Sequence, residues 1–477
     1  LARQFFRSVF LLVLLNLLVK PLWIFGVDRK MQVLLGYEAY GRYFSYLSFT
    51  VIFNILADMG LTVYVQRHIA THSVLVRKWL RNVVALKLLL TLLYVFVTML
   101  CAYVLGLRNG LWIPALIALQ LSISWLSFAR SILSAQQRFT ASSWFSIMDK
   151  LLLIIPGMAL LYVFCPGCTR TVEEFILAQL ITVVLTLIPA LLLVFRSTTQ
   201  ADTDTNTVPL TEVLRQSLPF AVLVLLMFVH SRVDGVLLGL LNGSSVQEAG
   251  IYASLYRFVD AANVMSYLVA GFLLSFWSRH LLRPDAIHDS LNKMFRMMMA
   301  AALLPVVLFF VYSRELQALV YENPNDTTAY VMQWGILVLI PSFLIDLFGT
   351  LVTAHKKMGV FIFILIGCIL LNVSLNAYFI PQYQAKASAW IAVGTQSVMA
   401  LALMLVCYSQ WKTRLTFASA LRIGALLIGT TTAAFLLKTT ELSFYLQLAL
   451  VFLTWIVFVF LLQLFSPTWV LNWRREN

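Results

Sequence analysis

Leu88-Leu89-Leu90-Thr91-Leu92-Leu93-Tyr94-Val95-Phe96-Val97-Thr98-Met99-Leu100-Cys101-Ala102-Tyr103-Val104 carries no charged residue. It is apolar on every face of a helix, so a soluble amphipathic helix does not fit it. The alternating pattern of a barrel strand does not fit it either. A helix needs about 20 such residues to cross about 30 Å of hydrocarbon. Runs of this kind recur along the whole chain, Tyr445 to Phe465 among them. Hydrophobic residues make up 61% of the 477 positions and charged ones 11%, more apolar surface than a soluble interior can hide. The sequence therefore predicts an all-α polytopic membrane protein.

Spans are expected at 5–27, 40–64, 79–105, 111–134, 144–164, 174–195, 215–241, 249–276, 293–312, 328–354, 358–381, 385–408, 417–437 and 443–465, about fourteen transmembrane helices. Residues 5–27 are read as a retained first span. With the N-terminus inside, Arg77, Lys78 and Arg81, Lys356 and Lys357, and Arg474 and Arg475 all fall on cytoplasmic segments. The Lys and Arg excess on that side is nearly threefold. The bias places both termini in the cytoplasm and assigns most of the +14 net charge to topology rather than to nucleic acid. Outer loops are short and lean acidic, as in Tyr321-Glu322-Asn323-Pro324-Asn325-Asp326, and hold no extracytoplasmic catalytic domain. No Gly-rich phosphate loop, metal-ligand cluster or nucleophile-base pairing stands out, so neither an enzyme nor a cofactor or metal is expected. Cys165-Pro166-Gly167-Cys168 fits a local disulfide in an oxidising compartment and has too few neighbouring ligands for zinc.

The longest polar stretch, Arg196 to Gln216, has the composition of a tether and sits near mid-chain. Its two sides match in order. Val27-Asp28 and Leu34-Leu35-Gly36 read against Val233-Asp234 and Leu240-Leu241-Asn242-Gly243. Gly41-Arg42-Tyr43-Phe44-Ser45 reads against Gly250-Ile251-Tyr252-Ala253-Ser254, and Ser134 to Phe139 reads against Thr353 to Met358. An even helix number per half makes the repeats parallel, so two pseudo-twofold-related six-helix bundles are expected, with an extra helix pair after them. The divisions are 1–196, a cytoplasmic linker 197–214, 215–410, and 411–477 for the pair and tail. Parallel repeats that rock to give alternating access are a transporter architecture.

Gly36-Tyr37-Glu38-Ala39-Tyr40-Gly41-Arg42-Tyr43-Phe44, Phe53 to Leu61 and Arg67-His68-Ile69-Ala70 resemble the start of a polysaccharide-export flippase. Ser217-Leu218-Pro219-Phe220, Arg232-Val233-Asp234, Gly250-Ile251-Tyr252 and Asn372 to Tyr383 are similar to the second repeat of that family. The likeness covers about residues 1 to 410. It implies the multidrug/oligosaccharidyl-lipid/polysaccharide superfamily, nearest its O-antigen (Wzx-type) and capsule-unit flippases, with the lipid II flippase and the drug-extruding MATE branch as more distant relatives. The expected cargo is an anionic polyprenyl-diphosphate-linked oligosaccharide moved across a bacterial inner membrane. Membrane lipid, a polysaccharide polymerase and glycosyltransferases are the expected partners. Ala385-Lys386-Ala387-Ser388-Ala389 departs from the family, which usually shows a Gly-rich turn there. Competing readings are a MATE-like exporter, which needs mid-membrane carboxylates, and a non-transporting component of a polysaccharide-synthesis complex.

A diphosphate crossing a low-dielectric slab needs cations along its path, and charged side chains inside spans usually face a cavity. Arg232, Arg257, Arg42 and Lys20 are the substrate-binding candidates. At about 1.5 Å per residue, Lys20 lies about 20 Å beyond Arg7 and Arg232 about 25 Å beyond Arg215, while Arg257 lies about 10 Å inward of Gly250. The resemblance implies that their helices border a central cavity. Plainer roles stand beside these: a pair between Arg257 and Asp260, snorkelling by Lys20, and an interfacial anchor in Arg42. Asp58 and Asp346 are candidates for ion coupling, against a helix cap or an Arg67 pair for the first and a neighbouring amide for the second. Asp234 and Asp260 are candidates for orienting Arg232 and Arg257. Lys87 sits one turn inside the inner face.

Overall fold

The computed structural model describes residues 18–62, 65, 69, 77–107, 110–136, 138–159, 161, 171–197, 210–241, 246–281, 283–321, 325–413 and 415–464. Helices and turns account for them, with no strand among the described residues. The chain divides into two compact units, Leu1–Ala253 and Ser254–Asn477. Eleven helices among the described residues are long and apolar enough to cross a membrane. Most of these begin and end within three residues of an expected span, as Leu80–Val104 does for 79–105. The Cys165–Cys168 loop, Arg67 and the tail beyond residue 464 lie outside the described residues.

In the first unit, helical residues 18–23 and a π-turn Ile24–Asp28 lead into α1 (Arg29–Phe53), followed by a 3-10 turn Asn54–Ala57. Then come α2 (Arg77–Val104), α3 (Trp112–Ala135), the short α4 (Phe139–Phe145) and α5 (Met148–Met158), α6 (Val172–Arg196), α7 (Leu210–Leu241) and the start of α8 (Gln247–Arg279). The sequence reading leaves a loop between 27 and 40, but the helix runs through it and breaks at one residue, Gly36 (φ 75°, ψ 167°). Only glycine takes that conformation without strain. The break is a fold-back. In one straight helix Asp28 and Tyr40 would stand about 18 Å apart, yet the Tyr40 hydroxyl donates to Asp28 Oδ2 at 2.8 Å.

Small residues then bring three helices together. A Cβ on Gly235 of α7 would press on the Phe44 ring and Ser48, and one on Gly239 would overlap Ser45, all on α1. Gly41 of α1 faces Gly250 of α8 backbone to backbone, so a Cβ on Gly250 would overlap the Tyr37 carbonyl. Gln32 Nε2 closes the junction by donating to the Gly250 carbonyl at 3.0 Å. Without a hydrophobic drive between helices in lipid, such close approach is a main source of association. Toward the same end of the bundle, where Tyr43 meets Phe175 and Tyr46 meets Trp112, α6 begins with a capping box between Thr171 and Glu174, and the Trp112 indole donates to Glu173.

The second unit continues with α9 (Pro284–Val320), α10 (Asp326–Gly335), a 3-10 turn Ile336–Val338, α11 (Leu339–Ala354), α12 (Met358–Tyr383), α13 (Ala385–Trp411), α14 (Phe417–Lys438) and α15 (Phe444–Leu461). α9 exceeds its expected span, 293–312, at both ends because a helix needs no hydrocarbon to continue; its 37 residues rise about 55 Å. It kinks at Tyr312 (φ −113°, ψ 29°), seven residues beyond Pro305. Nearby carbonyls find side-chain donors: Gln333 Nε2 reaches Phe310 O at 3.0 Å and Lys438 Nζ reaches Val311 O at 2.6 Å. The Tyr312 hydroxyl donates to Ala434 O at 2.9 Å. This is how a kink survives in lipid, where an unmet carbonyl costs several kcal/mol. The C-terminal helix pair, expected as an addition, thus holds the kink of α9.

The turn that departs from the family is resolved by Gln384, which takes φ 56° and ψ −135° between α12 and α13. Ala385, Ala387, Ser388 and Ala389 behind it are buried, giving α12 and α13 a close approach. A side chain at that φ costs about 1–3 kcal/mol. Gln384→Gly is expected to raise the thermal unfolding midpoint in detergent, by a gain of about 1 kcal/mol in stability. Gly250→Ala is expected to lower the midpoint, costing about 1–3 kcal/mol through overpacking at the glycine junction.

Candidate functional site

The expected cations flank two matching carboxylate clasps. In the first, Asp28 is fully buried and accepts from Tyr40. In the second, Asp234 on α7 is 3% exposed and accepts from the Tyr252 hydroxyl of α8 at 3.1 Å. Each clasp joins two helices at the opening hairpin of its repeat. Arg42 follows Tyr40 by two residues, Arg232 precedes Asp234 by two, and Arg257 follows Tyr252 by five. Lys20 lies eight residues before Asp28, about 12 Å along the helix. Lys20 and Arg232 are half-buried. Arg42 is 38% exposed and pairs with Glu38 at 3.3 Å. Arg257 is buried and stands 3.9 Å from Asp260, at the limit of an ion pair.

Asp58 meets a partner other than the Arg67 considered from sequence. Lys87 of α2, fully buried, places Nζ 2.6 Å from Asp58 Oδ1 and 2.8 Å from Ser124 Oγ of α3, over the Phe128 ring at 5.6 Å. Asp58 also accepts from the Thr62 hydroxyl and backbone N–H. The carboxylate reaches Lys87 because the chain leaves helical geometry there: a 3-10 turn ends at Ala57, and Met59 and Gly60 take φ 42° and 78°. An ammonium on an apolar span is thereby neutralised by a carboxylate 29 residues earlier.

Asp346 of α11 is 8% exposed and accepts from Ser266 Oγ of α8 at 2.6 Å. One turn away, Ser342 Oγ donates to Asn263 Oδ1 at 3.1 Å. In the first unit Asn54 donates to Gln120 of α3 at 3.2 Å. Asn54 and Asn263 each lie thirteen residues beyond their glycines, Gly41 and Gly250, and each bonds the fourth expected span of its repeat. The C-terminal ends of those spans close in the same way. Gln136 and Arg138 donate to carbonyls four and five residues back, and so do His355 and Lys357.

Sequence reasoning passed over four features. Asp28 appeared only as a repeat marker. Gln32 offered no signal, being a polar residue in an expected loop. Lys150 of α5 lies over the Trp23 ring at 4.5 Å and pairs with Asp149 at 3.2 Å. His230 of α7 is 6% exposed, with both ring nitrogens lacking a hydrogen-bond partner among the described residues. A lone histidine in an apolar span was the available signal. Among the described residues no group of His, Cys, Asp and Glu is suited to a metal ion.

Two matching hairpins with cations inside apolar helices, and a helical scaffold among the described residues, define a polytopic membrane fold. The chain belongs to the polysaccharide biosynthesis protein family, whose model matches residues 5–272. Among solved structures, it is similar to the lipid II flippase MurJ in an inward closed conformation (14% identity, TM-score 0.66, covering 95% of this chain and 97% of that one). It is also similar to a point mutant of the Vibrio cholerae MATE transporter VcmN (16% identity, TM-score 0.56, covering 86% and 97%). A third is a MOP-superfamily transporter from Pyrococcus furiosus (15% identity, TM-score 0.51, covering 88% and 96%). No curated protein matches. At these identities the structural likeness shows the fold, and with the family match it makes this chain a polytopic integral membrane protein of the polysaccharide biosynthesis family.

The buried pair yields a stability test. Lys87→Met leaves the Asp58 carboxylate without its counter-charge and is expected to cost about 3 kcal/mol. Asp58→Leu combined with Lys87→Met is expected to recover most of that loss, read as the thermal unfolding midpoint of the purified protein. A double variant as unstable as Lys87→Met contradicts the pairing.

Proposed function

We propose that this protein is a flippase that carries a polyprenyl-diphosphate-linked oligosaccharide, an O-antigen, capsule or exopolysaccharide unit, from the cytoplasmic to the outer leaflet of a bacterial inner membrane. It works by alternating access along a cationic path, with both termini in the cytoplasm. The observation that carries this reading is where the charges stand. Lys20, Arg42, Arg232 and Arg257 sit on the opening hairpins of the two repeats, while four buried or half-buried carboxylates already hold donors of the protein's own. Asp28 and Asp234 accept from tyrosines, Asp58 holds Lys87, and Asp346 accepts from Ser266. An exporter of organic cations needs those carboxylates for its cargo.

Arginine suits a diphosphate because its planar fork donates two parallel hydrogen bonds to phosphate oxygens. The contacts Arg42–Glu38 and Arg257–Asp260 are long, at 3.3 and 3.9 Å, and an arriving diphosphate offers each guanidinium a stronger partner. The isoprenoid tail stays in the bilayer. Asp58 and Asp346 are the residues proposed for ion coupling, and Asp234 and Asp260 for orienting Arg232 and Arg257. A polymerase and glycosyltransferases of the same polysaccharide are the proposed partners.

The test is translocation of a fluorescent polyprenyl-diphosphate oligosaccharide in proteoliposomes. Arg232→Ala and Arg257→Ala are each expected to slow it by roughly tenfold or more, the worth of one charge-assisted contact. Full rate in both variants, or no movement of the lipid by the intact protein, contradicts the reading.

A further inference from the structure

Positive charge at the inner ends of spans is accounted for by topology, but in the second unit two such charges meet on neighbouring helices. α9 and α14 pack together in three successive layers. In the outermost, the Thr416 N–H and hydroxyl donate to Asn292 Oδ1 at 2.7 and 3.1 Å. In the innermost, Ala300 and Leu426 share a packed core with Val459 and Leu464, and the Trp455 indole of α15 donates to Ala300 O at 3.1 Å. One helical turn before Ala300 is Arg296, and one turn before Leu426 is Arg422. Both arginines therefore stand in the layer between, on two helices that pack together.

Neither arginine makes an ion pair among the described residues. The nearby carboxylate, Asp289, is taken by Lys293 at 2.6 Å. Arg296 Nε is buried and has no hydrogen-bond partner among the described residues. Two guanidiniums at neighbouring positions repel, and a buried N–H without an acceptor forfeits its hydration for nothing. An anion with several acceptor oxygens resolves both at once.

The surroundings say where that anion comes from. Phe417, Leu421 and Ile428 on α14 are 83%, 61% and 68% exposed, an apolar strip on the same helix as Arg422. Arg422 lies about 9 Å along the chain from the helix cap at Thr416. Charge at that depth beside apolar surface matches a phosphate at the headgroup boundary with acyl chains alongside.

We propose that Arg296 and Arg422 form a binding site for the phosphate of an anionic glycerophospholipid, in the leaflet that holds the N-terminal ends of α9 and α14. The charge bias assigns that leaflet to the cytoplasmic side. The site lies apart from the residues proposed to carry cargo and anchors the α9–α14–α15 packing that supports the Tyr312 kink.

Native mass spectrometry of the full-length protein tests this after equilibration with phosphatidylglycerol or phosphatidylcholine. The unaltered protein is expected to retain phosphatidylglycerol in preference, and Arg296→Gln/Arg422→Gln to bind it at least tenfold more weakly. Arg422→Gln alone, at a half-exposed position, is expected to show an intermediate loss and serves if the double variant does not fold. Lys356→Gln/Lys357→Gln, which removes equal charge elsewhere, is expected to bind as the unaltered protein does. The proposal is overturned by equal retention of the two lipids. It is also overturned by undiminished binding in the arginine variants, or by millimolar inorganic phosphate displacing the lipid, which makes the site one for a soluble anion.

Discussion

A carboxylate in an apolar span is tolerated only where a donor meets it, and the opening hairpins of this protein are organised around that demand. Tyr40 meets Asp28 across the fold-back at Gly36, and Tyr252 meets Asp234 across the α7–α8 connection. Each bond fixes where two helices come together and so fixes the height of the cations beside it. The same hairpins carry the small residues, Gly41, Gly235, Gly239 and Gly250, through which α1 approaches α7 and the start of α8. Helix association and charge placement are therefore set by one local structure, built twice.

Elsewhere the governing rule is that irregular backbone in hydrocarbon must find its partners within the protein. The kink of α9 is answered by Gln333 and Lys438, from two different helices. The break after Ala57 turns Asp58 toward Lys87. The 3-10 turn Ile336–Val338 stands just before Pro341, whose missing N–H disrupts the helix there.

Much of this was legible in the sequence. Spans such as 79–105, 358–381 and 417–437 need only a continuous apolar run, and hydropathy reads that directly. The order of repeat motifs led to the equivalent turns after Ala135 and Ala354 and to the paired glycines. The sequence did not show the helical stretch through 28–39, because Asp28, Arg29 and Lys30 look like loop until the Tyr40 contact is known. Nor did it show that Lys87 belongs to Asp58, because a contact between residues 29 apart depends on a backbone break that no periodicity records. The ends of α9 were cut short for a similar reason, since hydropathy stops at the membrane and a helix does not.

The account rests on cations being set out for a negatively charged cargo. The most direct measurement compares two cargoes of the same sugar and isoprenoid in proteoliposomes of the unaltered protein, one joined by diphosphate and the other by an uncharged linker. The account predicts that the diphosphate form is translocated and the uncharged form is left behind. Equal movement of both, or export of an organic cation in preference to either, would contradict it.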